Sequence, residues 1–223
     1  MSVESSWNVW RGKHGRAWIW LPELLALVVA ASCGSLPKTH YYTLQLPAPP
    51  APVDPRTDFI LGVERFGAAE TLRDDRIVYY ESSTQLNYYE YHRWGSDPAG
   101  MLEELTVRKL DRAGVFKEVR RLPSRARVDY VLRGQVLNFE EVDFEGGVQG
   151  RVTLELTLVR WSDGFTVWSE TRMVERPAEG QGVAGVVRAL NASSEQLLSE
   201  ALPGLMARMD SEVAQSSAPS QSH

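Results

Sequence analysis

The chain has 223 residues, 43% of them hydrophobic and 24% charged, with a formal net charge of −5 at pH 7. That composition is ordinary for a globular protein, and the length suffices for one domain with a sizeable core. The mild acidity argues against nucleic-acid binding, which needs clustered cations, and a single cysteine allows no internal disulfide.

Arg11, Lys13 and Arg16 precede residues 24–35 (LLALVVAASCGS), which contain the lone cysteine, Cys33. A basic region, a short apolar run and small residues at a cleavage point make a secretory signal over residues 1–32. Ala30-Ala31-Ser32-Cys33 resembles a bacterial lipobox, in which the cysteine is acylated and becomes the new N-terminus; Ala30 stands where leucine is usual. A membrane-spanning helix needs about 20 apolar residues, whereas residues 17–32 are fewer and include Glu23. Cys33 is therefore the expected lipidation site. Two or more acyl chains would hold the protein on a membrane, where one binds only reversibly. Gly34 follows the cysteine where an aspartate would, in enterobacteria, signal inner-membrane retention. The expected location is the periplasm, on the outer membrane.

Residues 33–57 read as the anchor and a linker. They hold a β-prone run (40–46, HYYTLQL) and a proline-rich spacer (47–55, PAPPAPVDP), extended because proline fixes φ and lacks an N–H. The domain is expected over 58–210. Residues 58–66 alternate as a strand. Residues 76–81 and 85–91 form a predicted hairpin rich in tyrosine (Tyr79, Tyr80, Tyr88, Tyr89, Tyr91). Adjacent tyrosines on a strand point to opposite faces, so some of them should face outward.

Ser96-Asp97-Pro98 is a helix start, with a capping residue before a first-turn proline, and Gly114 is the stop; the helix should run over 97–113. A short strand over 115–121 breaks at Leu122-Pro123-Ser124. Residues 128–144 then turn at Gly146-Gly147 into 150–161, where Leu154, Leu156 and Leu158 alternate with polar residues. Asp163-Gly164 leads into 165–175. A two-residue loop there sets Trp168 opposite Val159; a three-residue loop with a bulge sets it opposite Leu158, which suits tryptophan burial. Apolar residues recur at helical spacing over 182–210, where Pro203 should kink or divide the helix. Residues 211–223 are polar and small, and expected to be disordered.

Nothing in the pattern asks for an enzyme or a cofactor. Only His92 of the four histidines lies within the predicted domain, so no multi-histidine metal site follows. Neither a phosphate loop nor a nucleophile elbow occurs. Glu140, Glu141, Asp143 and Glu145 read as a solvated strand end.

Tyr41-Tyr42-Thr43-Leu44, the run IVYYESSTQLNYYEYHRWGSDP, and VDYVLRGQVLNFE followed by a hairpin ending in TVWSET resemble the ABC-type transport auxiliary lipoprotein family, from Cys33 to about Met209. The resemblance implies a periplasmic α+β domain on a lipid anchor; the residue pattern itself reads as a single domain, one mostly antiparallel sheet with helical segments 97–113 and 182–210 packed on one face. The resemblance also implies partners: a protein with a mammalian-cell-entry (MCE) domain and its ABC permease and ATPase, moving lipids or other hydrophobic compounds across the envelope. Tyr80, Tyr89, Arg93 and Trp94 form the expected contact surface, although Trp94 equally suits a core position beneath the helix start. Tyr41, Tyr42 and Leu44 carry the family motif. The alternatives are an outer-membrane assembly lipoprotein and a direct periplasmic lipid carrier; self-association stays open.

Overall fold

Strands and helices follow one another in nearly the order that the hydrophobic pattern predicts. The computed structural model describes residues 37–46, 48, 53–144, 146–180 and 182–217, and Thr39–His223 forms one compact unit. Among the described residues the strands are β1 (His40–Tyr42), β2 (Ile60–Val63), β3 (Gly67–Ala68), β4 (Arg76–Ser82) and β5 (Gln85–Trp94). Helix α1 (Pro98–Ala113) comes next, then β6 (Glu118–Arg121), β7 (Tyr130–Val142), β8 (Gln149–Arg160), β9 (Thr166–Pro177) and helix α2 (Val183–Ser217).

The sheet is built around β7. On one side β8 pairs with it antiparallel along its length, and β9 continues the antiparallel order beyond β8. On the other side three short strands line up end to end, each parallel to β7: Leu61 opposite Tyr130, Gly67 opposite Gln135, Val78 opposite Glu140. Strand β6 lies outside β2, while β5 and then β1 lie outside β4. The fold is α+β, as expected. Its longest ladders are antiparallel, and five short ladders are parallel, a feature that alternation alone does not reveal.

Both helices lie on one face. Asp97 caps α1 by accepting a hydrogen bond from Gly100 N at 2.8 Å, and Gly114 closes it in the left-handed region at φ 60°. Lys109 of α1 meets Glu195 of α2 at 2.7 Å. At Gly150 of β8 the α2 backbone comes so near that an added Cβ would lie 2.7 Å from Leu190 N. Between helices and sheet sits a continuous apolar core that includes Leu61, Leu105, Phe139, Leu156, Leu158, Leu190 and Leu205.

Three boundaries differ from expectation. The domain begins earlier than residue 58, because β1 joins the sheet and Leu44 is buried in the core. Helix α2 is undivided: Pro203 lies exposed inside it, and Leu205 and Met209 beyond it are buried. Residues 211–217 are helical, since the buried carboxylate of Glu212 accepts hydrogen bonds from Tyr130 (3.0 Å), Arg160 (2.6 Å) and Arg208 (2.7 Å). At the last hairpin, Leu158 faces Trp168 across a bulge, the version favoured by tryptophan burial.

Candidate functional site

The YYTL segment is woven into the sheet where the chain enters the domain. As β1 it runs parallel to β5, with His40, Tyr41 and Tyr42 opposite His92, Arg93 and Trp94. Period-2 alternation divides its side chains. Tyr41 points out and is 67% exposed, while Tyr42 turns inward, its hydroxyl 2.9 Å from His92 Nδ1. The His40 ring stacks on His92 at 5.3 Å. Gln45 N donates to Asn191 of α2 at 2.8 Å, which ties the segment to the helical layer.

Beside this strap the tyrosine hairpin carries a half-buried polar cluster. Tyr89 packs on Tyr79 at 4.7 Å and edge-on against His92 at 5.6 Å, and donates its hydroxyl to Glu141 Oε2 at 2.8 Å. Burial and this carboxylate push the Tyr89 phenol well above the usual phenol range. Burial raises the Glu141 carboxyl, which the hydrogen bond from Tyr89 partly offsets. Burial also lowers His92, helped by the charge of His40. Across the hairpin the guanidinium of Arg76 stacks 4.6 Å above the Tyr88 ring.

The predicted contact residues therefore divide. Trp94 is only 2% exposed and packs on Phe139 at 5.1 Å, so it takes the core position and leaves the surface set. Tyr80 and Tyr89 are half-buried against the core, with Tyr89 committed to Glu141. Arg93 stays partly exposed and pairs with Asp75 at 2.6 Å. Of the family-motif residues, Tyr42 and Leu44 face inward and Tyr41 outward. Cys33 lies outside the described residues.

The carboxylates expected on a solvated strand end are instead buried: Glu140 is 3% exposed and Glu141 4%. Glu140 accepts from Asn138 at 3.0 Å and lies 3.7 Å from Arg151, which also pairs with Glu175. A bulge between Val136 and Asn138 sets which face Glu140 and Glu141 each take. It shifts the alternation by one residue, so Phe139 and Glu141 inherit the helix-side face that Tyr130, Leu132 and Val136 occupy before it. A bulge has no fixed sequence signature, and the nearest hint was the interrupted alternation at Leu137-Asn138. Glu145 lies outside the described residues, and Asp143 is exposed as expected.

Among the described residues, no group of three or more His, Cys, Asp or Glu stands close enough to hold a metal ion, and no helix is long and apolar enough to cross a membrane. Residues 42–201 match the family described as ABC-type transport auxiliary lipoprotein component. The fold is similar to that of a Xanthomonas campestris protein of family DUF330, at TM-score 0.67 and 26% identity over 78% of this chain and 99% of that one. A second solved structure, an uncharacterized protein, is similar at TM-score 0.58 and 18% identity, covering 74% of this chain and 96% of that one. No curated protein matches the chain.

Proposed function

Because this chain belongs to the ABC-type transport auxiliary lipoprotein component family, we propose that it is a lipid-anchored auxiliary component of an MCE-type transport system. In this reading acylated Cys33 holds it on the periplasmic face of the outer membrane. From there it assists the movement of lipids or other hydrophobic compounds across the envelope, through protein contact and without catalysis of its own.

The observation that carries the reading is the strap. Six residues lie between Cys33 and β1 at His40. Even fully extended, the seven steps from Cys33 to His40 span at most about 25 Å, at roughly 3.3–3.6 Å per residue. The strand they lead into is paired with β5 in the sheet, and Leu44 just beyond it is buried in the core. Such a connection keeps the domain close to its anchor, as suits a component whose task is to hold a contact at a membrane. The outward part of the neighbouring surface, Tyr41, Arg93 and the exposed part of Tyr80, is the proposed contact for the MCE-domain protein.

Co-purification tests it. The tagged chain, solubilised from its own membranes, is expected to bring down the MCE-domain protein encoded by the same organism. Tyr41→Ala with Arg93→Ala should weaken that recovery while the melting temperature stays within a few degrees. A wild-type chain that recovers no MCE-domain protein would sink the proposed role.

A further inference from the structure

At the far end of β7 from the tyrosine hairpin, a groove of about 710 Å³ opens between the loop 122–128 and the end of β8. Its position follows from topology. Strand β6 lies on one side of β2 and β7 on the other, so the chain joining them must cross over β2. Gly62 makes room for that crossing: a Cβ there would lie 2.9 Å from Leu122 and 3.2 Å from Val128. Leu122, Pro123 and Val128 give the groove an apolar wall, and Trp161, 61% exposed, stands at its rim.

The charges around it are one-sided. Among the described residues neither Arg125 nor Arg127 has an ion-pair or hydrogen-bond partner, and both are exposed. Arg65 meets Asp97 at 3.5 Å, with its side chain 80% exposed. Among the described residues the one carboxylate lining the groove, Glu64, is already matched by Arg133 at 3.1 Å. A local surplus of cations on a chain of net charge −5 is a specific feature, since the bulk of the surface leans the other way.

We propose that this groove seats an acidic peptide segment of a partner protein, with an apolar side chain against Leu122 and Val128 and its carboxylates facing Arg125 and Arg127. Arginine and tryptophan are the residue types that dominate protein interfaces, and guanidinium groups hold carboxylates in a bidentate fork. A concave groove admits a chain segment, whereas a bilayer needs a projecting face. The groove lies at the Tyr130 end of β7, whereas the hairpin strand β4 meets β7 at Glu140–Val142. This rests on the proposed role as a protein-contacting component and names a second contact for it.

The test uses the full chain in phosphatidylcholine nanodiscs and three fluorescent octapeptides, alternating Glu-Leu, Lys-Leu and Glu-Ser. The Glu-Leu peptide is expected to bind best, to weaken as salt is raised, and to weaken at least about tenfold in the double variant R125E/R127E and in Trp161→Ala. Glu-Leu binding no tighter than Lys-Leu or Glu-Ser would overturn the assignment, as would binding that survives R125E/R127E. Quenching of Trp161 by brominated phosphatidylglycerol vesicles, without Glu-Leu binding, would make the groove a bilayer contact and equally overturn it. The two readings fail separately. Recovery of the MCE-domain protein without Glu-Leu binding removes the groove and leaves the role. Loss of that recovery in the wild type removes the role, whatever the peptide does.

Discussion

The hydroxyl of Tyr89 on β5 donates to the carboxylate of Glu141 on β7 at 2.8 Å, and β4 lies between the two strands. Strand β4 presents Tyr79 to that pair, its ring 4.7 Å from Tyr89. The tyrosine hairpin is thus bolted to the central strand by a half-buried polar contact, and its aromatic residues serve packing before they serve any partner.

Tyr89→Phe leaves the Glu141 carboxylate buried without that donor and is expected to cost about 1–3 kcal/mol, read by urea unfolding. Glu141→Gln behaves differently. Burial raises the Glu141 carboxyl, so the folded state favours the protonated acid. Its stabilising contribution is complete below the ordinary carboxylate range and is lost as pH rises through the raised value. Glu141→Gln should therefore melt higher than wild type at pH 8 and level with it near pH 4. The same difference at both pH values would contradict this.

Glu212 works in the opposite sense. Burial pushes its carboxyl up, but the hydrogen bonds from Arg160 and Tyr130 and the charges of Arg160 and Arg208 outweigh burial, so it ends below its usual value. That contribution is present above the ordinary carboxylate range and fades as pH falls through the lowered one. Glu212→Ala leaves Arg160 and Arg208 without their shared buried partner and should cost on the order of 3 kcal/mol at pH 7. Differential scanning calorimetry should show the gap closing towards pH 3. Ending the chain after Asp210 should cost at least as much.

Gly150 marks where α2 rests directly on β8. A methyl group there would lie 2.7 Å from Leu190 N and 3.0 Å from the side chain of Ala189, and Ser193 Oγ donates to the Gly150 carbonyl at 2.9 Å. Gly150→Ala should displace the helix and cost about 1–3 kcal/mol, seen as earlier unfolding in urea. Gly146→Ala serves as the contrast. Its φ of 83° strains any side chain, yet nothing lies within 4 Å of the added methyl, so α2 should keep its amide protection in hydrogen exchange.

Cys33→Ala tests the anchor directly. Cells fed a clickable fatty acid should label the wild-type chain and leave Cys33→Ala unlabelled, with the variant no longer processed to the mature size. Equal labelling of both would remove lipidation at Cys33 from the account.

Local chemistry was enough for much of this protein. Asp97-Pro98 and Gly114 mark the ends of α1 because capping and a left-handed residue are decided within one turn of chain. The alternation of β8 and the bulge in the hairpin around Asp163-Gly164, inferred from the need to bury Trp168, came out as the register now seen. The YYTL segment was legible because it is a short linear motif. The rest depended on contacts far apart in sequence. A single bulge beyond Val136 decided which of Glu140 and Glu141 faces the helices, and covering side chains decided that both are buried. Trp94 lies in the core because Phe139, distant in sequence, packs against it. Glu212 extends α2 because two arginines and a tyrosine converge on it. Burial and charge pairing are properties of the assembled surface, and no window of sequence contains both partners.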